Sequence, residues 1–538
     1  MRSAPSPSEK SPLAISELLL NRKRFRFLGL TQHDLIKYFF NSNATVAVIV
    51  LALITIFLFR EGAGFFGQNL RNLRIYRLAG LEYVDFIRTE VDAHTSLSRG
   101  LSASRVSQFN QLTKSGMSTE QVQIALAPFD TFAEAFSDSV EDLRGILSDL
   151  TEVASAIKSK EQISRDLLER QSMLLGAGKK TEADAINVTA VNFSTETAAL
   201  TQTFPAFQIA NQAFAKKLQS VVESAPRMTN EKLQMEIDRV RRATEALIQS
   251  MPATEQSMKN WRYDTPVPAY RSISTFLFGR EWLTASFWQD WYGMIPLFVG
   301  SLLVSIIALV IAVPLGLSAA IYVSEIASTR EKSIIKPCIE FISAIPSVVL
   351  GFFGIAILGS ALRNFSQLSF LHWIPGFPMS ERLNSLTAGC LLALMAVPTI
   401  FSLAEDALNN VPRHFKEASY ALGANRFQTI ARILIPASLS GIISAILLGF
   451  GRVIGETMVV LLCAGNRIAI PDFTEGLGAF FQPVHTMTGI IAQEMGEVVN
   501  GSIHYRALFM VGIVLFLLSL LINYLAQHIV RRYRTSIG

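Results

Sequence analysis

The 538-residue chain has little charge for its length. Asp, Glu, Lys and Arg make up 17% of it, against roughly 25% in an average soluble protein. Half of its residues are hydrophobic, which excludes a disordered chain or one that coats nucleic acid. The net charge of +5 is also too small over this length to indicate a polyanionic partner. The composition therefore favours an integral membrane protein with some soluble mass attached.

Motifs for catalysis and metal binding are missing as well. The three cysteines, Cys338, Cys390 and Cys463, have no nearby partner, and the seven histidines are scattered, so neither a disulfide framework nor a metal site is expected. The stretch 176–180 (GAGKK) lacks the spacing of a nucleotide-binding loop, and no catalytic triad is found. We predict a non-enzymatic chain without a cofactor of its own.

Six stretches are apolar over the roughly 20 residues that a helix needs to cross a bilayer. They cover residues 38–59, 294–322, 339–362, 386–404, 438–464 and 507–526. The first is read as a retained anchor, because it is followed by Arg60-Glu61-Gly62 and not by a small-residue cleavage site.

Basic residues predict the orientation of these spans. With six spans, all four basic segments fall on one side, which is then the cytoplasmic side. Both termini are predicted to be cytoplasmic, whereas five or seven spans would divide the basic segments between the two sides. The basic residues are Arg22, Lys23, Arg24 and Arg26; Arg330, Lys332 and Lys336; Arg413, Lys416, Arg426 and Arg432; and Arg531, Arg532 and Arg534.

This pattern predicts five parts. Residues 1–37 form a cytoplasmic segment, 38–59 the first span, 60–290 a periplasmic insertion, 291–530 a five-helix core with a cytoplasmic loop at 405–436, and 531–538 a tail. The insertion is rich in Ser, Thr, Ala, Gln and Glu, and its apolar residues recur at helical spacing, as in Leu143, Ile146, Leu150, Val153 and Ile157. We expect mostly long helices there, with a spacer, a sensor and a docking role all left open.

The cytoplasmic loop contains a distinctive pattern, 417–423 (EASYALG) followed by 433–436 (ILIP). It predicts a short amphipathic helix, a turn at Gly423, a second basic helix, and Pro436 at the opening of span five. The pattern resembles the EAA loop of ABC importer permeases, departing from it at Ser419 and Ile435. An ordinary linker is the alternative. The resemblance implies that Glu417, Ala418, Gly423 and Pro436 belong to the segment that docks on an ATPase.

Span five carries two charges, Arg452 and Glu456, which a continuous helix would place on one face. A charge at the bilayer centre costs roughly 2.5–3.5 kcal/mol on insertion scales, so each charge needs a partner or a polar cavity. The two groups either neutralise each other or handle an anion. Arginine suits phosphate oxygens, and a carboxylate can accept a hydrogen bond from a protonated oxyanion such as phosphate, which sulfate does not offer.

The run 451–458 (GRVIGETM) resembles the GRAxGETM stretch of phosphate ABC importer permeases, specifically of the PstC family. Stretches 314–322, 345–351 and 421–424 match as well. The resemblance implies an all-α, type I ABC importer (MetI-like) permease with six transmembrane helices, a core of five preceded by one. It also implies that Arg452 and Glu456 line the pathway and that Glu494 and Glu497 lie near the outer gate, although a surface carboxylate is an equal alternative for the last two.

The partners implied by the resemblance are a second permease (PstA-like), an ATPase dimer (PstB-like) that holds ATP and magnesium, and a periplasmic phosphate-binding protein (PstS-like). The chain would lie among the lipids of the bacterial inner membrane and bind no nucleic acid. Three alternatives remain: a permease for another oxyanion such as phosphonate or molybdate, a membrane receptor that reports phosphate status, and a membrane-embedded enzyme, for which no catalytic constellation is found.

Overall fold

The computed structural model describes residues 26–27, 30–284, 286, 288–371, 373–374 and 376–534. Within these residues, six helices are long and apolar enough to cross a membrane, which confirms the predicted all-α, multi-pass fold. These spans are Phe39–Leu78, Ile295–Ile326, Ser347–Ser366, Ser385–Asn409, Arg426–Ile454 and Ile503–Ile529.

The first span belongs to one very long helix. A two-residue antiparallel ladder, β1 (Arg26–Phe27) with β2 (Leu30–Thr31), precedes α1 (Gln32–Leu78), which has 47 residues and is therefore about 70 Å long. The helix does not stop at the predicted end of the span, residue 59, but continues into the insertion. It ends where Gly80 adopts a left-handed conformation with φ of 79°, which glycine tolerates without steric cost.

Seven helices follow α1 in the insertion up to residue 260, and three of them begin at a side-chain cap. Ser118 and Gln121 form a capping box, and the side chain of Asn230 accepts hydrogen bonds from the backbone at Lys232 and Leu233. The helices are α2 (Leu81–Lys114), α3 (Thr119–Asp138), α4 (Glu141–Gly176), α5 (Lys180–Asp184), α6 (Phe193–Gln202), α7 (Phe204–Glu223) and α8 (Glu231–Asn260).

The insertion has its own hydrophobic core, built from large side chains at helical spacing. In α4 the predicted apolar face is only partly right: Val153 is exposed, and Ala154 is buried in its place. In that turn of α4, the buried face is therefore shifted by one residue toward the C-terminus relative to the apolar pattern. The fully buried aromatic residues of the insertion core come from other helices and include Phe129, Phe136, Phe207 and Phe214.

The chain returns to the membrane through α9 (Tyr270–Leu277) and a short hairpin, β3 (Trp282–Leu283) with β4 (Trp291–Tyr292). This segment packs against the outer part of α1, where the rings of Phe65 and Phe276 lie 5.1 Å apart, centre to centre. The segment that carries the chain back from the insertion is thereby packed against the helix that carries it there.

The membrane core begins with α10 and ends with α20. Span three starts later than predicted, at Ser347 rather than at residue 339, because the chain leaves the helix at Ser343 and Pro346 precedes the next one. The first elements are α10 (Ile295–Ile321), a π-helical turn (Tyr322–Ile326), α11 (Thr329–Ile342), α12 (Ser347–Phe353), a π turn (Gly354–Leu358), α13 (Gly359–Ser366), a 3₁₀ turn (Ser369–Leu371) and α14 (Ser385–Asn409).

The second half of the core contains the predicted cytoplasmic loop and pathway segment. Its spans pack closely where glycine removes the side chain: a Cβ on Gly389 would lie 2.4 Å from Ile307, across the contact of α14 with α10. The remaining elements are α15 (Arg413–Ala421), α16 (Arg426–Thr429), a π turn (Ile430–Leu434), α17 (Ile435–Ile454), α18 (Met458–Cys463), a kinked 3₁₀ segment (Phe473–Phe481), α19 (Met487–Glu494) and α20 (Ile503–Arg534).

Candidate substrate pathway and coupling surface

Span five is not the continuous helix that its apolar run predicts. It starts earlier, at Arg426, and Pro436 lies within it just after the π turn rather than at its opening. Proline has no N–H to donate to the preceding turn, which accounts for the irregular hydrogen bonding there. The span also ends earlier, at Ile454, and a non-helical break separates it from α18.

The break invalidates the predicted helical pairing of Arg452 with Glu456. Arg452 is still in the last turn of α17, but Glu456 lies beyond the helix end and turns forward, its Oε1 accepting a hydrogen bond from the backbone N–H of Met458 at 3.1 Å. Gly455 caps α17, its N–H donating to the carbonyl of Val453. The two charges therefore do not neutralise each other in this structure.

Arg452 is exposed on the surface of the single chain. Its Nη1 donates to the Oγ1 of Thr399 on span four at 3.3 Å. Within the described part of the chain, no carboxylate lies within ion-pair distance of this guanidinium. An intramembrane cation that is paired only with a hydroxyl retains most of its capacity to bind an anion.

Glu456 borders a narrow cleft that is lined by hydroxyl groups and has no room for a water molecule. Its backbone carbonyl accepts a hydrogen bond from Thr488 Oγ1 at 2.8 Å. The hydroxyl residues of the cleft are Ser301, Ser305, Thr486 and Thr488. Sequence reasoning missed them, although Thr486 and Thr488 stand out as polar residues in an otherwise apolar stretch.

Below Arg452, span five presents a strip of three small residues and one leucine. Ala437, Gly441, Ser444 and Leu448 precede Arg452 at spacings of three and four, so all five lie on one face of α17. The lower part of this strip borders a cleft of about 610 Å³ between spans four and five. That cleft is also lined by Asp406, Asn410 and Phe415.

The two carboxylates predicted near the outer gate differ from each other. Glu494 ends α19 and is tied down, its Oε2 lying 2.7 Å from His504 Nε2 and accepting a hydrogen bond from Trp282 Nε1 at 3.3 Å. Glu497 is exposed to solvent. The structure does not bring either of them to Arg452 or Glu456, and their place at a gate remains a prediction.

A cavity larger than either of these clefts, with a volume of about 930 Å³, lies elsewhere, at the root of the insertion. It shares no lining residue with the cleft at Glu456 or with the cleft below Arg452. Its walls combine tryptophans with charged groups of both signs, such as Arg88 and Asp85, which already form an ion pair of 3.0 Å.

The predicted cytoplasmic turn is present at Gly423. Its φ of 82° is the left-handed conformation that closes many helices, and the N–H of Ala424 donates back to the carbonyl of Ser419 at 3.1 Å. The buried hydroxyl of Ser419 also lies 2.9 Å from that of Thr429 across the hairpin. The departure from the EAA pattern at Ser419 thus supplies a link between the two helices.

The same hairpin has an exposed face and an anchored face. Glu417 and Ala418 are exposed, and Leu422 and Phe427 are 88% and 77% exposed, which is unusual for large apolar side chains. On the other face, Lys416 forms an ion pair of 2.5 Å with Glu325 at the end of span two. The hairpin is therefore attached to the core and presents apolar side chains outward.

Comparisons with known proteins agree with this architecture. The family described as "Binding-protein-dependent transport system inner membrane component" matches residues 312–535. The probable ABC transporter permease protein YqgH of Bacillus subtilis (strain 168) is 37% identical over 257 residues, which are 46% of this chain and 77% of YqgH.

Two PstC proteins are similar to the chain over a comparable length. The phosphate transport system permease proteins PstC of Pasteurella multocida (strain Pm70) and Mesorhizobium japonicum are each 30% identical over 281 residues, 50% of this chain and 85% and 83% of theirs. Because these matches take up most of each relative but about half of this chain, much of this chain has no counterpart in them. The chain belongs to the PstC family of ABC transporter permease subunits, a family of transport proteins and not of enzymes.

Proposed function

We propose that this chain is the transmembrane permease subunit of an ATP-driven phosphate importer and forms the phosphate pathway together with a second, PstA-like permease. The observation that carries the proposal is Arg452, an exposed guanidinium inside a membrane span without a carboxylate partner among the described residues. A charge in this position is costly unless it faces a polar cavity or a partner. A face shared with a second permease satisfies that requirement.

The strip below Arg452 supports a pathway along the same face. Its small side chains leave space beside span five, and the cleft of about 610 Å³ lies at its lower end. By the distribution of basic residues, that end is cytoplasmic. An anion released from Arg452 would thus have a route inward along α17.

The carboxylate of Glu456 favours phosphate as the substrate over oxyanions that are fully ionised. The helix break keeps its carboxylate from neutralising Arg452, so the carboxylate remains an acceptor. A protonated phosphate oxygen can donate to it, whereas sulfate has no proton to donate at neutral pH. Another protonated oxyanion, such as a phosphonate, is the second candidate substrate, because the same two groups would bind it.

The exposed face of the cytoplasmic hairpin is the proposed docking surface for a PstB-like ATPase dimer, which would hold the ATP and magnesium. Leu422 and Phe427 offer apolar contact area, and the Lys416–Glu325 ion pair would pass a displacement on to span two. A PstS-like binding protein would deliver phosphate on the opposite side, where the insertion lies. We place the complex in the bacterial inner membrane with both termini in the cytoplasm.

The pathway is tested by measuring ATP-dependent uptake of labelled phosphate by the assembled complex in vesicles. Arg452→Ala should lower uptake by roughly tenfold to a hundredfold, since a charge-assisted hydrogen bond contributes about 1.5–3 kcal/mol. Arg531→Ala, an equal change at an exposed position in the last turn of α20, is the matched control and should leave uptake unchanged. Undiminished uptake by Arg452→Ala would refute the pathway, and transport of a different oxyanion in place of phosphate would refute the substrate.

The docking surface is tested separately by co-purification of the ATPase. Leu422→Asp places a charge on the most exposed apolar side chain of the hairpin and should release the ATPase from the complex. Val106→Asp, the same kind of change on an exposed residue of the insertion, should not. Equal ATPase recovery with Leu422→Asp would show that the hairpin is an ordinary linker.

A further inference from the structure

The break in span five is contacted from outside the span. A helix end buried in a membrane protein leaves backbone groups that no water can satisfy, so other parts of the protein must supply partners. The carbonyl of Glu456 obtains its partner from α19, where the hydroxyl of Thr488 donates to it at 2.8 Å. The carboxylate of Glu456 cannot supply that partner, because it has no hydrogen to donate; its Oε1 instead accepts from the backbone N–H of Met458.

Thr488 is itself held in place. It lies in the first turn of α19 and is 5% exposed. The next residue toward the N-terminus, Met487, donates its backbone N–H to the hydroxyl of Ser301 on span two at 2.9 Å. Span two also approaches the backbone before α19 so closely that a Cβ on Gly300 would lie 2.0 Å from the carbonyl oxygen of His485. The first turn of α19 is therefore fixed against span two. Through its hydrogen bond, Thr488 connects this fixed turn to the backbone of Glu456.

The orientation of the Glu456 side chain follows from this contact. With its carbonyl held toward Thr488, the residue directs its carboxylate forward to Met458 and away from Arg452. If the carbonyl were released, α17 could extend through the break, and a continuous helix would bring the two charged groups onto one face. Neutralisation of Arg452 by Glu456 would then compete with substrate.

We infer that Thr488 is a positioning residue of the phosphate pathway: its hydroxyl holds the break at Glu456 open and thereby keeps Arg452 and Glu456 available to the substrate. This inference rests on the proposed function. Thr488 is not assigned a contact with phosphate, and it acts through the backbone of Glu456. Ser301 has the supporting part, since it fixes the turn that carries Thr488.

The experiment uses the complete complex in vesicles and measures phosphate uptake and ATP hydrolysis together. Thr488→Val keeps the shape but removes the donor, and should lower uptake about tenfold while hydrolysis stimulated by the binding protein falls less than twofold. Thr488→Ser restores a hydroxyl and should bring uptake back to within about twofold of the unaltered protein. Thr387→Val, which removes a buried hydroxyl in the first turn of span four, is the matched control and should change neither rate.

A double variant separates positioning from packing. If Thr488 acts through Glu456, Thr488→Val combined with Glu456→Gln should transport no more slowly than Glu456→Gln alone. Normal uptake by Thr488→Val, a parallel loss of uptake and hydrolysis in both Thr488 variants, or a further tenfold loss in the double variant would overturn the inference. Normal uptake by Arg452→Ala would instead overturn the proposed function, so the two failures are distinguishable.

Discussion

The insertion and the membrane core are both helical, but they are packed by different kinds of residue. The insertion core is filled with large aromatic and aliphatic side chains such as Phe129 and Phe214, whose removal from water stabilises the bundle. The membrane core instead uses close approaches at glycines such as Gly300 and Gly389, and buried hydroxyls such as Ser301. Lipid offers no hydrophobic driving force between spans, so close contact and hydrogen bonds replace it.

The two regions also treat charge differently. In the insertion, many charged groups are paired at short distance, as in Arg77 with Glu82 at 2.6 Å and Arg105 with Asp130 at 2.6 Å. In the membrane core, Arg452 has a hydroxyl as its described partner. The proposed role of Arg452 in binding phosphate would account for an intramembrane charge that has no carboxylate partner among the described residues.

If the insertion is stabilised mainly by burial from water, the largest effect should come from an aromatic side chain in its centre. Phe136 is fully buried and stacks on His94 with ring centres 4.6 Å apart. Phe136→Ala should lower the free energy of unfolding by about 3–5 kcal/mol, measured by thermal unfolding of the purified chain. Ile209→Ala, which truncates a residue that is 72% exposed, should change it by less than about 0.5 kcal/mol. Similar shifts from the two changes would contradict a water-driven core.

A smaller effect is expected from an unusual buried acid of the insertion. Glu90 is 2% exposed, and burial raises its pKa to about 7, with the nearby negative charge of Glu255 adding to the shift. The folded state therefore binds a proton more tightly than the unfolded state, and stability falls as pH rises from the ordinary pKa of 4.5 toward 7.

Glu90→Gln should remove this pH dependence and stabilise the insertion at pH 8 by up to about 3 kcal/mol, with little change at pH 4. The measurement is the unfolding midpoint across that pH range. Glu245→Gln, on the exposed surface of α8, is the control. A variant that retains the pH slope of the unaltered chain would mean that Glu90 is not its source.

The smallest effect concerns the contact between the two regions. Arg239 on α8 of the insertion forms an ion pair of 3.1 Å with Asp472 in the loop after α18. Both side chains are partly exposed, so Arg239→Glu should cost no more than about 1 kcal/mol of unfolding free energy, and less at high salt.

Arg239→Glu combined with Asp472→Arg should recover most of that loss in the unfolding midpoint at low salt. Arg241→Glu, which breaks a pair of 3.7 Å within α8 itself, is the matched control, because Asp472→Arg should not compensate for it. A double variant no better than Arg239→Glu alone would show that this ion pair does not link the insertion to the core.

The sequence allowed much of this architecture to be predicted, because apolar runs and helical periodicity are local properties. The six spans and the turn at Gly423 follow from such patterns. The break after Ile454 does not, because it depends on Thr488, which is 32 residues away from Glu456 and becomes its partner only in the folded core. The two charges were therefore recognised, but their relative placement was not, and neither Thr399 nor the hydroxyl cleft was identified.

The uninterrupted course of α1 has a mechanical consequence. A helix about 70 Å long that runs without a break from the first span into the insertion joins the two regions through one continuous element. A tilt of about 5° at its inner end would swing its far tip by roughly 6 Å, given that length. A change in the tilt of the first span during a transport cycle would thus displace the insertion further than it displaces the span itself.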